Sequence, residues 1–268
     1  MAICKDPRLT YLNESGYNVV RLPRTGLNPL GVIGHDHDKK AWLGELPQIW
    51  VADAPAPVPD PPSTVAGLRG TRTSDIKLSF GLDILANALS GMFGATAPSI
   101  EVAYKNARSV QFVFREVQAR KIDPFVIGNY LSKGDVRPSP FVTRFFSGQE
   151  NVEALVVSEV LEAKAIGVLA KKDASTEVAV DVPQLQALLG AKVSVSTAHG
   201  SSNELTYEGP EHLVFGYKAF GITMVDGSWQ IYSVGESAEL AFATPLSGGD
   251  LEPRIDAGQL VDIEFAPV

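Results

Sequence analysis

The chain has 268 residues, of which 45% are hydrophobic and 20% charged, so it can bury a sizeable core in one or two domains. Its net charge of −8 argues against nucleic acid as a main partner, because phosphate recognition needs clustered lysine and arginine, and against attraction of the intact chain to anionic lipid. One cysteine rules out an internal disulfide and a cysteine-rich zinc centre, no run of about 18 apolar residues encodes a spanning helix, and no apolar h-region follows a basic start.

That one cysteine is Cys4, placed where a chain is normally frayed and solvated. Behind it Asp6-Pro7 reads as an N-cap with proline at the first helical position. Leu9 and Leu12 give a short apolar stripe, and Gly16 is the expected stop. Residues 17–24 alternate as a strand ending near Pro23. His35-Asp36-His37-Asp38 offers two imidazoles at i and i+2, a pattern a strand can turn toward a metal. Only His199 and His212 remain to complete such a site, so a polar turn is the preferred reading and no metal is expected. Pro55, Pro57, Pro59, Pro61 and Pro62 make 52–63 an extended surface connection.

Leu78, Leu82, Leu85, Leu89, Met92 and Phe93 form a helical stripe, although Ser79, Gly81, Ser90 and Gly91 make it a weak helix. The period then changes. Ile100, Val102 and Tyr104, and after a break at 106–109 Val110, Phe112 and Phe114, alternate with more polar neighbours as a long two-faced strand. A soluble half-buried sheet and a transmembrane barrel share this signature. Asp123-Pro124 opens a short helix that Gly134 closes, and 152–169 is an apolar, β-branched strand interrupted by Glu153, Glu159, Glu162 and Lys164. Residues 176–182 and 191–198 alternate, with Asp181 capping a short helix over 183–189. Strands follow over 205–207, 212–225 and 229–234, the last two joined by the hairpin signal Asp226-Gly227. The fold class is α+β: one domain with a long twisted, mainly antiparallel sheet and several short helices packed on it.

The end of the chain is different. Leu246, Ser247, Gly248, Gly249, Asp250, Leu251 and Arg254 belong to an exposed, protease-sensitive loop over 246–254, after a body of 1–245. In the remaining 255–268, Val261, Ile263 and Phe265 share one face of an extended segment with Leu260 beside them, and a segment this apolar should dock on the body.

No constellation supports catalysis. Gly67-Leu68-Arg69-Gly70 lacks the lysine of a P-loop, no Gly-x-Ser-x-Gly elbow occurs, and none of the four histidines has a nucleophile beside it in sequence. No catalytic residue and no dissociable cofactor is therefore expected. Asn13-Glu14-Ser15 matches a glycosylation acceptor without a secretion signal. Cys4 has three readings: an inert thiol, a redox-active one, or an acyl acceptor, with the inert thiol ahead on the residues alone.

The opening resembles the bacterial gasdermins. Cys4 with Asp6-Pro7, Tyr11-Leu12, the run 16–24, and Pro29-Leu30 before Gly34 carry the match. It continues through 78–114, Asp181-Val182-Pro183 and 213–220, and so covers most of the chain in the family's order. The resemblance implies a palmitoyl thioester on Cys4. It also implies an autoinhibited protein that stays a cytoplasmic monomer until an activating protease, caspase-like at Asp250 or trypsin-like at Arg254, removes the tail. Many copies would then assemble into a large ring in membrane lipid, each contributing two amphipathic hairpins, and kill the cell in antiphage defence. The alternation places those hairpins within 78–117 and 152–198, with Ile100, Val102, Tyr104, Val110, Phe112 and Phe114 as membrane-strand candidates. The alternative reading is a soluble β-rich binding module without pore activity.

Overall fold

A computed structural model describes residues 16–37, 39–65, 76–78, 82, 85, 86, 89, 100–173, 175–189, 194–198, 201–232, 260 and 261. In chain order these form β1 (Asn18–Arg24), β2 (Gly31–Asp36), β3 (Lys39–Glu45), α1 (Leu46–Ile49), β4 (Trp50–Ala52), β5 (Ser63–Thr64), β6 (Ile76–Lys77) and a 3-10 turn at Glu101–Tyr104. Then come β7 (Ser109–Arg115), β8 (Gln118–Lys121), α2 (Pro124–Leu131), β9 (Gly134–Val136), α3 (Pro140–Thr143) and a 3-10 turn at Arg144–Phe146. The rest is β10 (Val152–Lys171), α4 (Val182–Leu189), β11 (Ser194–Ala198), β12 (Ser201–Val225), β13 (Ser228–Tyr232) and β14 (Leu260–Val261).

β10 and β12, 20 and 25 residues long, are the spine. They pair antiparallel from Ala154 opposite Ile222 to Leu169 opposite Glu204, with bulges that bend the ribbon. β10 is apolar almost throughout because it is covered on both faces, where an alternating strand would be covered on one. The main sheet runs β14-β1-β12-β10-β2-β3 along its longest path. β7 and β8 take the place of β2 further along β10: Val152–Val156 pair with β2, Glu159–Glu162 with β8, and Ala165–Lys171 with β7. A small second sheet joins β4 to β9.

Two large apolar clusters sit at opposite ends of the spine. One gathers Leu30, Leu46, Trp50, Ile127, Leu131, Phe145 and Trp229 over the start of β10 and the end of β12. There the Phe145 ring lies over Gly34, leaving no room for a Cβ, which gives that glycine a packing reason. The other gathers Leu82, Leu85, Leu89, Ile100, Tyr104, Val110, Phe112, Leu185 and Tyr207 against Ile166, Val168 and Ala170 at the far end of β10.

Several expected caps and turns are in place. Asp123 accepts from the Phe125 amide at 2.8 Å and Asp181 from the Gln184 amide at 3.0 Å, opening α2 and α4. Asp226 and Gly227 both have positive φ, 51° and 78°, the two-residue turn that matches strand twist between β12 and β13. His37 (φ 54°) stands in the turn between β2 and β3, as the polar-turn reading requires. The 52–63 stretch bends at 53–54, has no regular structure over 55–62 and is largely exposed, and Asp60 donates its amide to the Lys121 carbonyl.

Two strand expectations fail. Residues 100–104 are a 3-10 turn, not a strand: Ile100, Ala103, Tyr104 and Ala107 are buried at helical spacing, while Val102 is 51% exposed. Ile100 and Tyr104 fit either period, and the buried Ala103 and Ala107 decide for the turn. Residues 176–182 form no strand beyond one bridge from Glu177 to Lys171. Asp173 accepts the amides of Ser175 and Thr176, folding the chain back on itself before α4. Within the 78–93 stripe, the described residues 78, 82, 85, 86 and 89 are helical.

Candidate autoinhibitory edge and hairpin strands

The chain enters β1 through Gly16, whose φ of 81° is left-handed, while the helix expected before it lies outside the described residues. One side of β1 pairs antiparallel with β12, Asn18 opposite Tyr217 and Val19 opposite Gly216. Its other side carries β14 in parallel, Val19 opposite Leu260 and Val20 opposite Val261. Leu260 and Val261 are therefore held by main-chain pairing at the edge of the main sheet. Val20 turns inward, 4% exposed, onto Leu27, Ile33, Val157, Val160, Val214 and Tyr217. Pro23 has no N–H, which ends the useful ladder on β1 soon after the stretch that β14 covers. Cys4, the loop residues Leu246, Ser247, Gly248, Gly249, Asp250, Leu251 and Arg254, and the tail residues Ile263 and Phe265 lie outside the described residues.

Beside this edge, Tyr17 donates to Glu159 Oε1 at 2.6 Å, and Lys218 Nζ lies 3.5 Å from Glu159 Oε2 and 4.3 Å from the Tyr17 ring centroid. Burial, and then the Glu159 carboxylate, pushes the Tyr17 hydroxyl far above its ordinary range, so it stays a donor. The other charges that interrupt β10 are held too. Glu153 meets His35 Nδ1 at 2.9 Å and accepts from Tyr232 at 2.6 Å, Glu162 meets Arg120, and Lys164 meets Glu208 at 3.1 Å. His37 Nδ1 lies 2.8 Å from Asp36 Oδ1, and that contact, with Arg144 and other cations nearby, lowers the Asp36 carboxyl. Among the described residues no group of three or more His, Cys, Asp and Glu side chains is arranged to hold a metal.

The membrane-strand candidates divide. Val110, Phe112 and Phe114 lie on β7, whose Phe114 stands opposite Ile166 of β10. Val110 and Phe112 are buried in the same cluster as Ile100 and Tyr104. In this state the cluster is protein core, closed by the leucine helix and α4. Sequence reasoning missed two polar ties across it. Tyr104 and Tyr207 share a 2.6 Å hydroxyl contact, and burial raises both hydroxyls well above their ordinary value. Arg115 pairs with Glu204, which is 7% exposed. No spacing announces such ties, because each joins residues about 90–100 positions apart. Among the described residues no helix is long and apolar enough to cross a membrane, a statement that leaves strands open.

The comparisons bear on the whole chain. The sequence profile described as the Bacterial Gasdermin Family matches residues 20–230. A gasdermin of Vitiosangium sp. is 33% identical over 98% of this chain and 99% of its own length. One from a Desulfuromonadales bacterium is 30% identical over 84% and 85%. A solved bacterial gasdermin from Bradyrhizobium tropiciagri superposes with a TM-score of 0.64 at 15% identity, covering 96% of each chain, which speaks for the fold. With the profile spanning most of the sequence and a relative aligned nearly end to end, this chain belongs to the bacterial gasdermin family.

Proposed function

We propose that this gasdermin is held inactive by its C-terminal segment and that a protease frees it by cutting within 246–254. Family membership makes the chain a pore-forming cell-death protein and not an enzyme, with membrane and self-association as its partners. The observation that carries the autoinhibition reading is the seat of β14 on β1. A tether that ends in a strand of the main sheet resists rearrangement of that sheet, and a cut upstream turns it into a free peptide that loses its effective concentration. The sequence Gly248-Gly249 puts little side-chain bulk in the way of a protease, with Asp250 suiting a caspase-like and Arg254 a trypsin-like enzyme. A palmitoyl group on Cys4 would add apolar area of about 0.8 kcal/mol per buried methylene, enough for marginal anchoring, so strands must supply most of the insertion. Such a protein would rest in the cytoplasm and act in the cell membrane, in a role such as antiphage defence.

Dye release from liposomes tests the reading. Full-length protein should leave vesicles intact, and protein cut inside 246–254 should empty them. Cys4→Ala protein, cut in the same way, should release dye more slowly and lack the acyl mass that hydroxylamine removes. Cut protein that stays folded and leaves vesicles sealed would sink the proposal.

A further inference from the structure

Among the described residues the main sheet ends beyond β12 in β11, β13 and β1, the last covered at Val19 and Val20 by β14. On the opposite side it ends in β3, β5 and β6, of which β3, with 7 residues against 2 in each of the others, offers the longest edge. Strand directions follow from the pairings. β12 runs against β1, β10 against β12, β2 against β10, and β3 against β2. Four reversals leave β3 pointing the same way as β1.

This polarity matters for assembly. Two different edges can join only head to tail, the arrangement that closes into a ring when each copy is rotated onto the next. Rotation about the ring axis preserves the sense of each strand along that axis. The β3 of one copy would therefore meet the β1 of its neighbour in parallel. β14, the strand that occupies this edge in the resting chain, is also parallel to β1. An antiparallel cap would have left the edge in the wrong polarity for comparison; this one has the polarity of the incoming strand.

We propose that β14 stands in for β3 of a second copy, and that removing the tail hands the β1 edge to that neighbour. The proposal rests on the tail-release reading given above and specifies what the released surface binds. Both edges are guarded outside one short stretch. On β1, Pro23 removes a donor just beyond Val19 and Val20. On β3, Lys39 and Lys40 at one end, and at the other the register shift with Gly44 at φ 122°, bracket residues 41–43. These stretches, Val19 and Val20 on β1 and residues 41–43 on β3, are both short and fall where lysine and proline do not oppose pairing. While the chain is intact, the tethered tail acts at an effective concentration on the order of millimolar and outcompetes a neighbour at micromolar concentration. A cut tail competes only at its bulk concentration.

The test uses full-length protein carrying a site-specific protease sequence in place of residues 248–251 and Cys4→Ala, so that the introduced thiols are the only ones in the chain. Val19→Cys and Ala41→Cys are introduced singly and together, and the protein is added to anionic liposomes, cut or uncut, and oxidised with copper phenanthroline. The double variant should give a ladder of disulfide-linked multimers only after cutting, whereas either single variant should stop at dimers. A tenfold excess of synthetic peptide 255–268 should suppress the ladder. Lys39→Cys, at an exposed position, replaces Ala41→Cys if the latter shifts the urea midpoint. A cut double variant that releases dye but gives nothing beyond dimers overturns the edge proposal and leaves tail release standing. An equal ladder from uncut protein overturns it as well, since β14 would then guard nothing. A ladder without dye release supports edge exchange and counts against the pore reading. Neither ladder nor release overturns both.

Discussion

Glu162 is 5% exposed in the middle of β10, a position that would be costly for a lone carboxylate. Gln118 Nε2 donates to its Oε1 at 2.9 Å, and Arg120 donates to its Oε2 through Nε and Nη2 at 3.1 and 3.0 Å. Nη2 of Arg120 also donates to Asn28 Oδ1 at 2.9 Å, tying β8 and β10 to the loop before β2. Arg120→Met should lower stability by about 2–4 kcal/mol, because it strands a buried charge. Adding Glu162→Leu should recover part of that loss, since the pair then leaves together. Urea unfolding of the single and double variants measures the coupling; additive losses would mean the pair acts through packing alone. At this scale the sequence shows that charges interrupt an apolar strand, yet not who receives them. The partners come from strands adjacent in the sheet but 42–44 residues away in the chain.

Elements were legible where one short signal decides them. Asp123-Pro124, Asp181 and Asp226-Gly227 act within a few residues of themselves, and the structure bears them out. The 176–182 stretch alternates as cleanly as a strand, but its neighbours along β10 are β7 and β12, leaving it a single bridge at Glu177. The turn at Glu101–Tyr104 decides which of the membrane-strand candidates can report lipid contact. Phe112 is 3% exposed, so Phe112→Arg would disrupt the resting core before any membrane is met. Val102 is 51% exposed and can carry arginine without burying it. If 99–117 becomes a membrane strand, Val102→Arg should fold normally and then lose dye release after cutting. The charge costs about 2–4 kcal/mol per copy near the bilayer midplane. Unchanged release by this variant would remove residue 102 from the lipid face.

At the scale of the whole molecule, the sequence announces an apolar tail but not where it docks. The docking site joins the two ends of the described chain, Val19 to Leu260 and Val20 to Val261, and no local pattern can encode such a contact. A two-residue strand is a weak hold by itself, with each hydrogen bond worth about 1 kcal/mol net. Large apolar side chains that dock with it contribute about 1.5–3 kcal/mol each when fully buried. Charge points the same way but with less force. Beyond Asp250 lie Glu252, Asp256, Asp262 and Glu264 against Arg254, so removing −3 from −8 leaves −5, still negative toward anionic lipid and neighbouring copies. Replacing Val261, Ile263 and Phe265 with serine should therefore activate the uncut protein, whereas changing only the four acidic residues to their amides should do little. Growth arrest and dye entry in cells expressing each variant separate the two. Activation by the amide set alone would make repulsion, not docking, the restraint. Chains ending at Asp250 that are folded, abundant and harmless would show that the tail restrains nothing.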